Sequence, residues 1–416
     1  KSWWKFVSRW PRSSRRFSDE SEIDNRDTNA RRGSVSKPYN EAALGTIADF
    51  SYGYTATAQD TGDTRFIRIT DIDENGSLKK NDAKFIDFTG ELERYQVKKG
   101  DILVARTGGT FGKTLLYKDD CPAVYASFLI KIILNNGDLL PDFYFHFSQS
   151  NRYWFQANNL VTGGGQPQFN ANVLKEIVVP LPTLPEQKAI AALLSTWDEA
   201  IEKTERLIQA KEANLKGQIQ RIMGKEAIEV NGWSMVHLGE LFSEVTRKVG
   251  EKELTPYSIS AGIGFVSQRE KWGKDISGSQ HKNYTHLKAG EFSYNKGNSK
   301  RYQQGCVYLL KNGEICVPNV FISFKPKAKN VVPEFFEHYF IADYHARELK
   351  RYITSGARSD GLLNLNKKDF FKIMVPCPSP DEQKAIAEAL TASQHEIDLL
   401  KQLADKYKTQ KRGLMQ

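Results

Sequence analysis

The chain has 416 residues, of which 40% are hydrophobic and 26% charged, so it is long enough for two or three globular domains and is not a disordered chain. Its four cysteines form no CxxC pair and no zinc spacing, so we expect no disulfide framework, no zinc finger and a reducing cytoplasm. The net charge of +9 permits nucleic-acid binding without establishing it. No apolar run approaches the roughly 20 residues of a membrane helix, so we expect no membrane contact.

Residues 1–38 form a basic, Trp-rich extension with ten Lys/Arg and five Asp/Glu, a net charge of +5. Trp3, Trp4 and Trp10 lie in a segment that has the pattern of a short amphipathic helix, and residues 11–38 have a composition typical of flexible chain. We interpret the extension as a segment that docks on a partner or on the chain itself. A helix on a membrane surface is the less favoured alternative.

The rest of the chain is a duplicated unit with an offset of 196 residues. The sequence EQKAIA at residues 186–191 recurs at residues 382–387, and the match continues without a gap to Gln220 and Gln416. An ordered series of matches is not expected by chance, so we predict two globular domains that are each followed by a long helix. The predicted boundaries are 39–177 for the first globular domain, 178–228 for its helix region, 229–374 for the second globular domain and 375–416 for its helix region.

Both helices begin at a predicted capping box, Thr183 with Glu186 and Ser379 with Glu382. Their apolar residues then follow the 4-3 spacing of a coiled coil, so we predict that the two helices, of about 38 residues each, pack on one another in antiparallel orientation. The alternative is a separate buried helix in each domain. The predicted helix-pairing residues are Ile190, Leu194, Trp197, Ile201, Ile208, Leu215, Ile386, Leu390, Ile397, Leu400 and Tyr407. Polar seam residues, among them Lys211 and Lys411, would reduce stability and fix the register.

The globular domains have mixed secondary-structure signals, which favours an α+β fold. In the first domain we predict strands at 66–72, 101–106, 115–118, 127–134 and 176–180, and a helix at 142–158. In the second domain we predict strands at 257–260, 291–295, 306–310 and 320–325, and a helix at 333–351.

No motif in the sequence predicts chemistry in this chain. Residues 108–114 resemble a phosphate-binding loop, but the spacing between the glycines is one residue short, so we predict a strand–turn–strand instead. The seven histidines have no metal-ligand spacing, and we find no Ser/His/Asp group and no adenine-methylation motif. We therefore expect no catalytic residue, no metal and no cofactor in this chain.

Basic segments recur at equivalent positions of the repeat. Residues 94–118 hold six Lys/Arg and one Asp, and residues 269–301 hold eight Lys/Arg and three Asp/Glu, so each segment has a net charge of +5. Such clusters neutralise DNA phosphates, although a solvated surface is the simpler interpretation of either segment alone. The recurrence in both halves favours DNA binding. We expect the glycine-rich stretches 163–165 and 356–361 either to let the backbone approach a DNA groove or to form turns.

Two globular domains, each followed by a helix with this opening, resemble the DNA-specificity subunit of type I restriction–modification systems. Residues 179–222 and 375–416 resemble its central and distal conserved regions. Residues 100–103, followed by Arg106 and by Gly112-Lys113, resemble a recurring stretch of its target-recognition domains.

The resemblance implies two target-recognition domains separated by two long antiparallel coiled-coil helices. It also implies that each domain reads one half of a bipartite site in double-stranded DNA, and that the helices set the spacer and dock two adenine-methyltransferase subunits. S-adenosylmethionine, ATP and Mg²⁺ would then belong to those partners and to motor–nuclease subunits. On this basis the expected DNA contacts are Arg106, Lys113, Lys296, Lys300 and Arg301, followed by Arg94, Lys271, Lys274, Tyr52 and Tyr54.

Two other functions remain open at this point. In the first, the chain is a stand-alone DNA-modifying or DNA-cleaving enzyme with an unrecognised site. In the second, it is a coiled-coil scaffold without sequence specificity. Because the sequence opens at Lys1 rather than at Met, we also expect that it is not the whole gene product.

Overall fold

The computed structural model describes residues 39–79, 81–135, 137–161, 168–274, 278–297, 299–353 and 362–415. The chain divides into two compact units. We call residues 39–205 with 402–415 the N-terminal unit, and residues 206–401 the C-terminal unit. The predictions made for residues 1–38 and for the glycine-rich stretches lie outside the described residues. None of the helices in the described part of the chain combines the length and the apolar character needed to span a bilayer.

The core sheet of the N-terminal unit has four antiparallel strands and is buried on both faces. Ile102 and Val104 on the central strand pack into one apolar cluster with the helix Pro141–Phe147. Leu103 and Ala105, which point to the opposite face, pack into a second cluster. The strands lie in the order Ala48–Tyr52, Leu129–Leu134, Ile102–Ala105, Thr114–Leu116.

A second four-stranded sheet completes the first globular domain. Its strands lie in the order Phe85–Ile86, Thr64–Ile67, Ala123–Tyr125, Gln96–Val97, and the two central strands are parallel. The shorter helical segments of the N-terminal unit are Leu44–Ile47, Ile69–Asp71, Gly90–Tyr95, Gly108–Thr110 and Ala171–Glu176. The predicted strand–turn–strand at residues 108–114 is therefore confirmed, because the turn Gly108–Thr110 joins two strands of the core sheet.

The core sheet of the C-terminal unit repeats this topology. Its strands lie in the order Phe242–Glu244, Ile322–Pro326, Phe292–Asn295, Cys306–Leu309, and neighbouring strands are again antiparallel. In both units the first strand of the sheet along the chain pairs with the last, so the duplication predicted from the helices extends to the sheets. The unit also contains two antiparallel two-stranded ribbons, the hairpin Tyr257–Ser260 with Gly264–Ser267 and the pair Thr285–Lys288 with Glu314–Val317. Its shorter helical segments are Lys225–Asn231, Leu238–Leu241, Gln268–Trp272, Gly278–Asn283 and Lys367–Phe370.

A two-stranded antiparallel ribbon closes each globular domain at the start of its long helix. Asn40–Ala43 pairs with Val178–Leu181, and Ser234–His237 pairs with Met374–Cys377. The strand that enters each long helix is thus hydrogen-bonded to the strand that opens the same domain.

The structure corrects the two helices predicted at 142–158 and 333–351, because each is broken. The first is interrupted after Phe147, and the helix Asn151–Leu160 begins anew because the side chain of Ser150 accepts a hydrogen bond from the N–H of Tyr153. The second ends at Ile341 and is followed by the helix Ala346–Leu349. Between them Asp343 has a φ of +64°, which a continuous right-handed helix does not permit.

The strand predicted at 66–72 is also too long. It ends at Ile67, and residues Ile69–Asp71 form a short 3₁₀ helix. The carboxylate of Asp71 accepts hydrogen bonds from the backbone N–H and the guanidinium of Arg68, which stabilises the turn against a continued strand.

The two long helices are Leu184–Met223, with 40 residues, and Pro380–Leu414, with 35 residues. At the second helix the predicted capping box forms, since the N–H groups of Ser379 and Glu382 each bond to the other residue's side chain. At the first helix the carboxylate of Glu186 accepts from both the N–H and the hydroxyl of Thr183, so that hydroxyl is a donor rather than the predicted acceptor.

In the N-terminal unit the two long helices run antiparallel. The rings of Trp197 and Tyr407 lie 5.7 Å apart in an edge-to-face arrangement. Lys411 pairs with Asp198 at 2.5 Å and Lys408 pairs with Glu205 at 2.7 Å, so a higher residue number on the second helix meets a lower one on the first.

The C-terminal unit contains the remaining parts of the same two helices, and they also contact one another. Lys211 pairs with Glu396 at 2.7 Å and Glu212 pairs with Lys401 at 2.6 Å. The C-terminal unit contains the end of the first long helix from residue 206 and the start of the second up to residue 401. The contacts join the beginning of the first of these segments to the end of the second, so the two helices are antiparallel here as well. The mixed α/β fold with paired antiparallel helices is therefore confirmed within each unit.

Candidate nucleic-acid interface

Arg106 lies at the end of the central strand Ile102–Ala105 in the N-terminal unit. Its N–H donates to the carbonyl of Phe128 at 3.0 Å, and its carbonyl accepts from the N–H of Phe169 at 2.9 Å. These two bonds tie residue 106 to the neighbouring strand on one side and to the segment that precedes the helix Ala171–Glu176 on the other. The backbone position of the arginine is thereby fixed.

Two exposed aromatic rings lie beside the guanidinium of Arg106. Its Cζ lies 5.1 Å from the ring centroid of Tyr52 and 5.8 Å from that of Phe128. The Tyr52 hydroxyl accepts a hydrogen bond from the N–H of Ala171 at 3.1 Å, which orients its ring. The exposed fractions are 40% for Tyr52 and 50% for Phe128, so this arginine–aromatic group faces solvent.

Phe128 is a functional candidate that the sequence did not reveal. It falls within the strand predicted at 127–134, where an aromatic residue is interpreted as part of the core. In the structure the strand begins only at Leu129, and Phe128 lies outside it with half of its surface exposed. No local pattern distinguishes this residue from its buried neighbours, since its contact with Arg106 depends on the pairing of two distant strands.

Lys296 occupies the corresponding backbone position in the C-terminal unit. It follows the central strand Phe292–Asn295, and its carbonyl accepts from the N–H of Leu363 at 3.0 Å, as that of Arg106 does from Phe169. Each basic segment of the repeat thus places one basic residue at the equivalent point of the core sheet in its own unit.

The other predicted contacts of the C-terminal unit are exposed side chains. The guanidinium of Arg301 lies 5.3 Å from the ring of Tyr302, and the ammonium of Lys271 lies 4.8 Å from the ring of Trp272. The indole of Trp272 is itself 43% exposed. These residues offer cationic and aromatic surface to a ligand. The exposed basic residues of this group are Lys271, Lys274, Lys300 and Arg301.

Arg94 and Tyr54 belong to a second arginine–aromatic group of the N-terminal unit. The guanidinium of Arg94 lies 4.7 Å from the ring of Tyr95, and that ring lies 5.3 Å from Tyr54. Tyr54 is half-buried and packs against a small apolar cluster. Tyr52 and Tyr54, which were predicted together, are therefore assigned to different groups.

Lys113 lines a cavity of about 220 Å³ together with residues of the two long helices. The cavity wall includes Asp198, Lys408 and Arg412, all of which belong to the N-terminal unit. Lys113 and Arg106 were predicted together because both lie in the stretch that resembles part of a target-recognition domain. The structure directs their side chains to different surroundings, and a DNA contact by Lys113 stays a prediction.

Some of the positive charge of both basic segments is neutralised locally. Lys99 pairs with Asp120 at 2.9 Å, and Lys282 pairs with Glu251 at 2.7 Å. The net charge of each segment therefore overstates the charge available to phosphates.

The predicted helix-pairing residues differ in burial. Six of the eleven side chains are buried and five are partly buried. The buried residues are Leu194, Ile201, Ile208, Leu215, Leu390 and Ile397, and the partly buried ones are Ile190, Trp197, Ile386, Leu400 and Tyr407.

A buried histidine connects each globular domain to a long helix. Nε2 of His146 lies 3.1 Å from the hydroxyl of Ser195, and Nε2 of His338 lies 3.0 Å from the hydroxyl of Thr391. Burial lowers the pKa of His146 to about 3, with the nearby Lys411 acting in the same direction. Burial likewise lowers the pKa of His338 to about 4. Both imidazoles are neutral structural groups rather than candidates for acid–base chemistry at neutral pH.

The glutamine of the repeated EQKAIA sequence has a role that sequence analysis missed. Gln187 is fully buried, and its amide accepts from the N–H of Leu140 at 2.9 Å and donates to the carbonyls of Asp138 and Pro182. Gln383 is buried at the equivalent position. Gln187 thereby joins its long helix to the loop before the helix Pro141–Phe147, and Gln383 joins its long helix to Val332, just before the helix Pro333–Ile341.

No metal centre is formed by the described residues. Among them, no three His, Cys, Asp or Glu side chains lie together in a way that could hold an ion.

Comparison with known proteins gives a consistent result. A family model for the type I restriction modification DNA specificity domain matches residues 38–212 and again residues 231–408. The putative type I restriction enzyme MjaX specificity subunit of Methanocaldococcus jannaschii is 24% identical over 383 residues, which cover 87% of this chain and 85% of that protein. The MjaVIII specificity subunit of the same organism is 23% identical over 361 residues, which cover 80% of this chain and 81% of that protein.

A solved structure has the same fold. The crystal structure of the S subunit of a type I restriction–modification system from M. genitalium matches with a TM-score of 0.58 and 18% identity. The match covers 92% of this chain and 96% of that chain. At this level of identity the similarity supports the fold alone.

Proposed function

The chain belongs to the family of type I restriction–modification DNA specificity subunits, and from this premise we propose that each of its globular domains reads one half of a bipartite DNA target. Residues 39–177 would read one half-site and residues 229–374 the other. Base edges in the major groove supply the sequence information, while Lys and Arg contacts to phosphates supply much of the affinity.

The observation that carries this proposal is the repeated core sheet with a basic residue at the same position in each copy. Arg106 and Lys296 both follow the central strand, and both accept a backbone hydrogen bond from the segment that returns to the long helix. Two copies of one scaffold with different side chains at this position are suited to two half-sites of different sequence. The guanidinium of Arg and the ammonium of Lys differ in the acceptors they prefer.

The proposal also assigns the helices and the partners. The paired helices would hold the two readers at a fixed separation and so set the length of the unread spacer. The internal duplication would give the chain pseudo-two-fold symmetry, and that symmetry would suit two equivalent methyltransferase subunits. S-adenosylmethionine, ATP and Mg²⁺ would be bound by the methyltransferase and motor–nuclease subunits, in the cytoplasm, and this chain would be non-catalytic alone.

An exchange of domains tests the half-site assignment. Residues 39–177 are replaced by the corresponding domain of another family member, and methylated adenines are mapped in cells that carry the complete system. We expect one half of the mapped motif to change while the spacer and the other half stay the same. Replacement of residues 229–374 is the matched control and should change only the other half. Changes in both halves after a single exchange would contradict the assignment.

A second measurement tests the absence of catalysis. The purified chain is incubated with DNA and S-adenosylmethionine, and separately with DNA and Mg²⁺. We expect neither methylated nor cleaved DNA, and binding that prefers one bipartite sequence over random DNA. A reaction product would favour the stand-alone enzyme, and equal binding of all sequences would favour the scaffold.

A further inference from the structure

We propose that Arg106 reads a guanine in the half-site of the first globular domain, and that Tyr52 and Phe128 are the positioning residues that present its guanidinium. This inference rests on the proposed function and makes it more specific, since it names the base and the side chain. It is carried by the arginine–aromatic group at the end of the central strand.

The guanidinium is held in place before any ligand binds. The backbone of Arg106 is tied on both sides by hydrogen bonds, and the rings of Tyr52 and Phe128 lie within 6 Å of its Cζ. The Tyr52 ring is fixed in turn by the hydrogen bond from Ala171. A side chain that is ordered in the free protein loses less conformational entropy on binding, which favours specific recognition.

The donors that remain available are at the tip of the side chain. Nε of Arg106 is buried and has no hydrogen-bond partner among the described residues, whereas the two terminal nitrogens are not enclosed. Among the described residues no carboxylate forms an ion pair with Arg106, in contrast to the pairing of Arg68 with Asp71 in the same domain. The tip thus offers two parallel N–H donors that have no hydrogen-bond partner among the described residues of the domain.

Two acceptors close together match such a pair of donors. In the major groove these are O6 and N7 of guanine, and arginine contacts this pair more often than any other base feature. Two oxygens of a backbone phosphate are the competing acceptors. We favour the base because the rings of Tyr52 and Phe128 restrict the position of the guanidinium, and a base edge with two fixed acceptors tolerates less displacement of the donors than a phosphate does.

Binding of modified duplexes separates the two acceptors. The target is first mapped with the wild-type complex of this chain and its methyltransferase partners, and each guanine of the first half-site is then replaced by 7-deazaguanine, which lacks the N7 acceptor. For one of these positions, we expect the wild-type complex to bind the modified duplex at least about tenfold more weakly than the unmodified duplex. Arg106→Gln should bind that modified duplex and the unmodified one equally. Its methylation motif should become degenerate at the same position only.

A phosphate contact gives a different result. Arg106→Gln would then weaken binding to all sequences alike, reduce the dependence of affinity on salt by about one counterion, and leave the motif unchanged. That outcome would overturn the assignment to a base, as would a first half-site without guanine on either strand. If the exchange of residues 39–177 alters the motif but Arg106→Gln does not, only this inference fails. If the exchange itself has no effect, the proposed function fails.

The positioning residues are tested by how strongly each variant discriminates between the guanine and the 7-deazaguanine duplex, rather than by its affinity for either one. Phe128→Leu and Tyr52→Phe should each reduce the ratio of binding between the guanine and the 7-deazaguanine duplex, the first because the ring is lost and the second because the bond from Ala171 is lost. Phe155→Leu, which changes a ring that is 71% exposed in the same unit, is the matched control and should leave the ratio unchanged. An unchanged ratio in both test variants, with unchanged thermal midpoints, would show that the rings do not position Arg106.

Discussion

The ammonium of Lys411 lies 2.5 Å from a carboxylate oxygen of Asp198, although the lysine side chain is buried. The same ammonium donates to the side-chain carbonyl of Gln149 at 2.7 Å. Lys411 belongs to the second long helix, Asp198 to the first, and Gln149 to the break between two helices of the first globular domain. One lysine therefore joins three elements of the N-terminal unit, at a seam position where an apolar residue is usual.

Replacement of this lysine should destabilise the N-terminal unit. Lys411→Met leaves the carboxylate of Asp198 without its cation, and because the Asp198 side chain is 28% exposed we expect a loss of about 1–3 kcal/mol rather than the larger cost of a fully buried pair. The free energy of unfolding is measured by denaturant titration. Lys408→Met removes a lysine from a more exposed pair one turn away and should cost no more than about 1 kcal/mol. Equal losses in the two variants would contradict a special role for Lys411.

Replacement of the repeated glutamine should destabilise each unit separately. Gln187→Met removes the partners of three backbone groups, and we expect a loss of about 2–4 kcal/mol in the free energy of unfolding because such groups are costly to leave unsatisfied. Gln383→Met should also destabilise the C-terminal unit, but by less, because the side chain bonds to two backbone groups there, those of Val332 and Pro378. Gln209→Met, at an exposed position of the first long helix, is the control. A loss no greater than the control's would mean that the glutamine bonds contribute nothing.

The buried histidines should make the protein sensitive to acid. The pKa of His146 is lowered to about 3 and that of His338 to about 4, whereas an unfolded histidine titrates near 6.5. As the pH falls below about 6.5 the unfolded state takes up protons that the folded state refuses, so stability is lost progressively down to the folded pKa values. The slope is at most about 1.4 kcal/mol per pH unit for each histidine.

Thermal midpoints measured between pH 7 and pH 4 test this expectation. The double variant His146→Gln/His338→Gln should have a shallower pH dependence than the wild type, because two proton-binding differences are removed. Part of the dependence remains, since His345 is also buried and its pKa is also lowered. Gln209→Met, at an exposed position, changes no titratable group and should leave the slope unchanged. Identical slopes for the double variant and the wild type would exclude these two histidines as the cause.

The parts of the fold that depend on local patterns were predictable. The 4-3 spacing and the repeated helix openings predicted both long helices and their antiparallel pairing, because a helix seam is defined by residues close in sequence. Basic segments were predicted at equivalent positions of the repeat, and the structure places Arg106 of one segment and Lys296 of the other at the end of a central strand. The broken helix before Asp343 was not predictable, since no glycine or proline marks the residue with positive φ.

The details of the site depend on contacts between distant residues. Tyr52 reaches Arg106 because its strand pairs with Leu129–Leu134, which lies far along the chain. The strand Ala48–Tyr52 itself was not predicted. Gln187 bonds to Leu140, which precedes it by 47 residues, and a sequence motif read locally indicates only a helix start. Side-chain placement of this kind is determined by tertiary packing rather than by spacing.

The charged pair of the N-terminal unit has no counterpart in the C-terminal unit, and this difference can be tested by transfer. At the offset of 196 residues Leu215 corresponds to Lys411 and Gln394 corresponds to Asp198. Leu215 is buried, so Leu215→Lys should cost about 2–4 kcal/mol by placing an unpaired ammonium in an apolar seam. Adding Gln394→Asp should recover at least about 1 kcal/mol as a coupling energy in a double-mutant cycle. Leu207→Lys, at an exposed position of the same helix, should show no such coupling with Gln394→Asp. If Gln394→Asp instead deepens the loss caused by Leu215→Lys, the two positions are not equivalent to the natural pair.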